Sequence, residues 1–155
     1  MIWIIIPVVD MGSYDLAEWV KDLPTYSEEL GLDLSDPRDR FKWFLASILF
    51  SNRISAEIAG RTYRRFEEEG LTSPERMLEA GWDRLVEVLD SGGYTRYDFS
   101  TADYLLYNME KLEEEYGDLE AVNERASDSR DLEARLKEFK GMGPVGVNIF
   151  LRELR

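Results

Sequence analysis

Leu136-Lys137-Glu138-Phe139-Lys140-Gly141-Met142-Gly143-Pro144 carries more structural information than any other stretch of the chain. Two glycines flank one apolar residue, so the backbone can turn tightly between two helices, with a positive φ open to either glycine. Met142 is placed to plug the gap between those helices. Pro144 falls where the second helix begins, a position at which its missing N–H costs nothing. The N–H groups of Gly143, Val145 and Gly146 then point outward at the positive end of the helix dipole, which suits a phosphate. Gly146 has no side chain, so a backbone can approach closely. The spacing predicts helices over 131–140 and 144–154, joined by Gly141-Met142-Gly143.

Upstream, the chain reads helical almost throughout from Tyr14. Asp36-Pro37 is an N-cap followed by proline at the first helical position. Behind it Phe41, Phe44, Leu45, Ile48 and Leu49 share one face at helical spacing. Ser55 caps a second helix with Glu57 in its first turn and Ile58, Tyr63 and Phe66 available for burial, ending over 67–70. Ser73-Pro74 opens a short helix that stops at Gly81, and 82–89 forms another, closed by Gly92-Gly93. Ser100 or Thr101 opens the longest, in which Ala102, Leu105, Leu106, Met109, Leu112 and Tyr116 form a stripe before Gly117. Residues 119–126 add one turn or two. The sum is an all-α, compact bundle of about eight to ten short helices ending in a hairpin of helices.

Residues 2–9 (IWIIIPVV) form the one long apolar run. It is far too short to span a bilayer and lacks the basic flank and cleavage site of a signal peptide. Its β-branched content reads as a short buried strand or an extended arm packed on the body, and Pro7 argues against a central strand. A structural cap and a dimerising arm are its two readings. Residues 1–36 are thus expected to pack on a helical domain spanning 37–155, with the hairpin at 131–154.

The 155 residues carry 19 Lys+Arg against 32 Asp+Glu, a net charge of −13, and contain neither histidine nor cysteine. Disulfides, thiolate nucleophiles, cysteine-ligated metals, histidine metal sites and Ser-His-Asp chemistry are excluded. Catalysis would have to use carboxylates, lysine, tyrosine, hydroxyls or backbone groups. Apolar content of 44% with 12% aromatics argues for a packed globule rather than a disordered acidic chain. As a total, −13 speaks against a polyanionic partner, but the charge is uneven: −7 over 1–36, +5 over 37–66, −14 over 67–134 and +3 over 135–155. Glu67-Glu68-Glu69 and Glu113-Glu114-Glu115 lack the spaced loop of a calcium site, so they read as solvated surface and no metal is expected. Arginine outnumbers lysine fourteen to five, a pattern that fits high internal salt or high growth temperature.

The hairpin stretch resembles the helix-hairpin-helix motif, L-x-x-L-P-G-V-G-x-x-T-A. LASILFSNRIS (45–55) resembles the LLSxQ-T segment of the endonuclease III group of DNA glycosylases, and GGYTRYDFSTA (92–102) resembles that group's G-[FL]-Y-x-x-K-A turn and following helix. The likeness to this helix-hairpin-helix glycosylase superfamily runs from about Phe41 to Leu154, with the three motifs in the family's order. It implies a DNA-binding protein in or derived from base excision repair, with double-stranded DNA, damaged or abasic, as its partner. Lys140, Gly141, Met142, Gly143, Pro144, Val145 and Gly146 would hold one phosphate. Arg53, beside Asn52, takes the position resembling the glutamine that enters the duplex next to an extruded base; a solvated loop arginine is the equal alternative. Tyr94, Arg96 and Tyr97 form an aromatic–basic cluster suited to stacking or phosphate contact, although Tyr97 equally suits the core. Arg61, Arg64 and Arg65 lie close on one helix and would track the backbone.

The chain also departs from the family. Val145 stands where the bifunctional enzymes carry their nucleophilic lysine, and a valine cannot form a Schiff base, so lyase activity is not expected. The aspartate that follows the second hairpin helix in the family has no counterpart before Arg155. The expectation is either a truncated chain or a pared-down relative that binds DNA without the family chemistry, and activity as an enzyme stays open. Asp98 and Asp103 are substitutes for that aspartate or, more simply, turn and first-turn helix residues. Without cysteine no iron–sulfur cluster is expected and no cofactor is implied beyond a monovalent cation at the hairpin. Two other readings stand beside this one: a non-catalytic hairpin module, and an acidic helical protein that binds a protein partner or a second copy through its acidic or N-terminal surface. A cytoplasmic location without membrane association is expected.

Overall fold

The computed structural model describes residues 25–154. Among these there are eight α-helices and no strand. They are α1 (Tyr26–Glu29), α2 (Pro37–Phe50), α3 (Ala56–Glu68), α4 (Pro74–Ser91), α5 (Asp98–Lys111), α6 (Leu119–Arg125), α7 (Ser129–Lys137) and α8 (Pro144–Leu154). A 3₁₀ turn at Thr95–Tyr97 precedes α5 and a π-turn at Leu112–Tyr116 extends it. The expected N-terminal arm at 2–9 and the helical reading of 14–24 lie outside the described residues. No helix is long and apolar enough to cross a membrane, and no group of acidic side chains is arranged to hold a metal, among the described residues.

Local chemistry sets most of the helix ends. Asp36, Ser55, Ser73, Asp118 and Asp128 each accept a backbone N–H from the first turn of the helix they precede, which satisfies one of the orphan donors there. Pro37 and Pro74 occupy first-turn positions. Gly81 breaks α4 with φ 81° and ψ 174°, a backbone that glycine adopts without a Cβ penalty. α5 starts at Asp98 rather than Ser100 or Thr101, and Ser100 is a first-turn residue whose hydroxyl donates to Tyr97 O at 3.2 Å instead of capping. α7 stops at Lys137, short of 140, and the chain then turns so that Phe139 enters the core.

The core is organised around α2. Its sequence suggests one apolar face, yet Trp43, Phe44, Leu45, Ala46, Ile48 and Leu49 are all fully buried, so the helix is surrounded rather than half-covered. Phe44 lies edge-on to both Phe139 and Phe150, at centroid distances of 5.4 and 5.7 Å. Such pairs add about 0.5–1.5 kcal/mol beyond their buried area. Trp43 Nε1 donates to Phe150 O at 3.1 Å, and Ser47 Oγ donates to Trp43 O at 2.7 Å. These contacts seat α8 and the turn after α7 directly on α2.

Candidate nucleic-acid interface

The three segments singled out by the sequence meet in space through side-chain hydrogen bonds. Ser51, just past α2, places Oγ 2.7 Å from Ile48 O and 2.8 Å from Gly141 O, so one hydroxyl ties the helix end to the hairpin turn. Asn52 Nδ2 donates to Tyr94 Oη at 2.9 Å and faces Thr101 Oγ1 at 3.4 Å. Tyr94 Oη in turn donates to Leu49 O at 2.6 Å. From α5, the buried Asn108 amide holds both backbone groups of Lys140: Nδ2 donates to its carbonyl and Oδ1 accepts its N–H, each at 2.8 Å. A net contribution of about 0.5–1.5 kcal/mol per bond understates their importance, since a buried partner left unpaired costs about 1–3 kcal/mol.

Within the hairpin, the roles of the glycines divide. Gly141 alone takes the left-handed backbone, with φ 78°, whereas Gly143 has no positive φ and a Cβ there would meet nothing within 4 Å. Met142 is fully buried, as the plug between helices that its position suggests. Gly146 is buried too, and a Cβ on it would fall 2.9 Å from Gly141 O and 3.3 Å from Ser51 Cβ. Its missing side chain therefore admits a close backbone, and that backbone is the chain's own turn, on which α8 sits. Val147 N bonds Gly143 O at 2.9 Å, which makes Gly143 the cap residue of α8. Glycine brings no side-chain oxygen to that cap, so the first N–H groups of α8 depend on solvent or a ligand.

Other expected contacts are rearranged. Tyr94 is fully buried and hydrogen-bonded on both sides, so it is a core residue and not a stacking platform. Arg96 is exposed and lies over the half-buried Tyr97 ring at 5.5 Å. The α3 arginines also make internal contacts: Arg61 Nε donates to Gly92 O at 2.9 Å and Arg64 to Glu29 O at 2.7 Å, both side chains staying exposed. Arg65 pairs with Glu68 and Glu69, its i+3 and i+4 neighbours. Arg38, Arg40 and Lys42 pair with Asp36, Glu120 and Asp39. By contrast, Arg53 on the α2–α3 loop and Lys140 in the hairpin are exposed and have no carboxylate partner among the described residues. Pro144 and Val145 are exposed on the first turn of α8, Val145 at 61%.

Asp98 and Asp103 are engaged elsewhere. Asp98 accepts its neighbour's N–H at 2.7 Å and hydrogen-bonds Asp90, whose carboxyl is held above its usual range by that contact. Asp103 accepts from Trp82 Nε1 at 2.8 Å. Neither hydrogen-bonds to the hairpin or to the 51–54 loop. Asn108 was legible only as a polar residue inside an apolar stripe, and Ser51 carried no signal of its partner ninety residues away.

Burial pushes the Tyr94 phenol up to about 12 from its ordinary 10.0. The unfolded chain loses this proton near pH 10 while the folded chain keeps it. The stability it contributes is full below pH 10 and falls by about 1.4 kcal/mol per unit as pH rises towards 12. Tyr63, buried against Glu67, is raised as well and acts in the same direction. Denaturant midpoints are therefore expected to drop steeply above pH 10, with a shallower drop in Tyr94→Phe. An identical slope in that variant would remove Tyr94 from the alkaline transition.

Comparison of the chain with family models, curated proteins and solved structures finds no match.

Proposed function

We propose that this chain is a cytoplasmic protein that binds double-stranded DNA through the hairpin face, as a divergent relative of the endonuclease III-type glycosylases in or derived from base excision repair. The observation that carries the reading is the junction of Ser51, Asn52, Tyr94, Asn108 and Gly141, which draws the three family-like segments to one place. The first turn of α8 and Lys140 would hold one phosphate, while Arg53 would reach the base stack beside a damaged or abasic position. Residue 145 is valine, so strand cleavage by a lysine at that position is ruled out chemically. Salt dependence tests the reading. Fluorescence anisotropy on a duplex with a central abasic analogue is expected to give weak binding that fades steeply with salt. The log–log slope is about 0.9 per phosphate neutralised. Absence of any salt-dependent binding at low ionic strength would overturn it.

A second reading draws on the aromatic pair Trp82–Phe99, whose rings lie 5.2 Å apart with Phe99 59% exposed. Acidic side chains at Asp83, Asp98 and Asp103 surround it in sequence, which suits a basic protein segment better than a phosphate backbone. DNA binding unchanged by Phe99→Ser would keep the two surfaces separate.

A further inference from the structure

We infer that Tyr107 is a positioning residue for Lys140, holding its ammonium ready for a phosphate at the hairpin; this rests on the DNA-binding reading above. Two adjacent residues of α5 act on Lys140 from two directions. Asn108 points inward and fixes both backbone groups of Lys140 at 2.8 Å. Tyr107 points outward, 41% exposed, with Lys140 Nζ 4.4 Å from its ring centroid. One turn earlier Tyr104 abuts the hairpin, its Cδ2 3.6 Å from where a Cβ on Gly141 would stand. Main chain and side-chain tip of this lysine are thus both held by the same helix.

The choice of an aromatic partner matters in a chain of net charge −13. Lys42 and Lys111 are paired with carboxylates at 3.6 and 2.6 Å, which neutralise them locally. Lys140 rests instead on the face of a ring, whose quadrupole attracts a cation without supplying a negative charge. Its full charge remains available three residues ahead of Gly143, the cap of α8. A flexible lysine loses rotamer freedom when it binds, and prior restraint by the ring lessens that loss. Tyr107 is therefore expected to act on affinity through Lys140 and not by touching the DNA.

A double-mutant cycle with duplex DNA reads this directly. Lys140→Met is expected to lower the salt slope by about 0.9, and Tyr107→Leu to weaken binding about threefold with the slope unchanged. Tyr107→Phe keeps the ring and should bind as the native chain does. In the Lys140→Met background Tyr107→Leu should have no further effect. An effect that persists there, an equal loss in Tyr107→Phe, or no loss in Tyr107→Leu would each overturn the inference. A DNA-free readout accompanies the cycle: the Lys140 Cε protons should show an upfield ring-current shift that Tyr107→Leu abolishes. With that shift present and no DNA binding by the native chain, the DNA reading fails and the positioning role for phosphate falls with it. With DNA binding present and no shift, the positioning inference alone fails.

Discussion

A Gly143→Glu chain is expected to fold as the native protein does and to lose at least about tenfold of its affinity for duplex DNA, the loss produced by a single unfavourable interaction of about 1.4 kcal/mol. From the sequence the substitution would also strain the turn. The structure removes that complication, since Gly143 has no positive φ and a Cβ there meets nothing within 4 Å. A carboxylate placed at this cap faces the positive end of α8. It would stabilise the helix by about 0.3–1 kcal/mol while occupying the N–H groups that a phosphate needs. Melting temperature should hold or rise slightly as binding disappears, and Gly143→Ala should leave binding near native. Undiminished affinity in Gly143→Glu would take the α8 N-terminus out of the binding surface.

The second large effect is purely structural. Gly92→Ala is expected to destabilise the fold by about 3 kcal/mol, at the upper end for overpacking, and to lower Tm by on the order of 10 °C. Gly92 does not need glycine for its dihedrals, having φ −86°. It needs glycine because α3 passes so close that a Cβ would stand 2.6 Å from Thr62 Cα and 2.8 Å from Thr62 Cβ. Thr62 cannot retreat: its hydroxyl bonds Ile58 O at 2.7 Å, and Ala59, Tyr63 and Phe66 hold α3 in the core. Calorimetry showing a melting point within a degree or two of native would mean that the two helices separate freely. Gly92 also supplies the carbonyl that receives Arg61 Nε, so the same contact fixes one nitrogen of an arginine that stays exposed.

That contact bears on how far the charge pattern could be read. The +5 over residues 37–66 is a correct sum, but carboxylates outside the block pair with three of its arginines, Arg38, Arg40 and Arg65. Arg38, Arg40, Lys42 and Arg65 meet carboxylates, while Arg61 and Arg64 meet backbone carbonyls. Arg53 and Lys140 are exposed with neither a carboxylate nor a carbonyl partner for their side chains among the described residues, and the exposed Arg61 and Arg64 keep their charge beside neutral carbonyls. Tyr94 shows the converse. It stands in an aromatic–basic cluster in sequence, yet its ring closes the core and its hydroxyl joins Leu49 to Asn52.

Helix boundaries were legible because their causes span only a few residues: Asp36 and Pro37, Ser55, Ser73 and Pro74, the break at Gly81, and the Gly141–Pro144 turn. Caps, fixed dihedrals and missing side chains act within one turn, so the sequence by itself determined the helical character of the described residues and the hairpin of helices at 129–154. The junction of Ser51 with Gly141, of Asn108 with Lys140 and of Trp43 with Phe150 was decided by the tertiary structure alone. Each joins residues 32 to 107 positions apart, and a polar side chain selects among many equivalent backbone partners only after packing has excluded water from all but one.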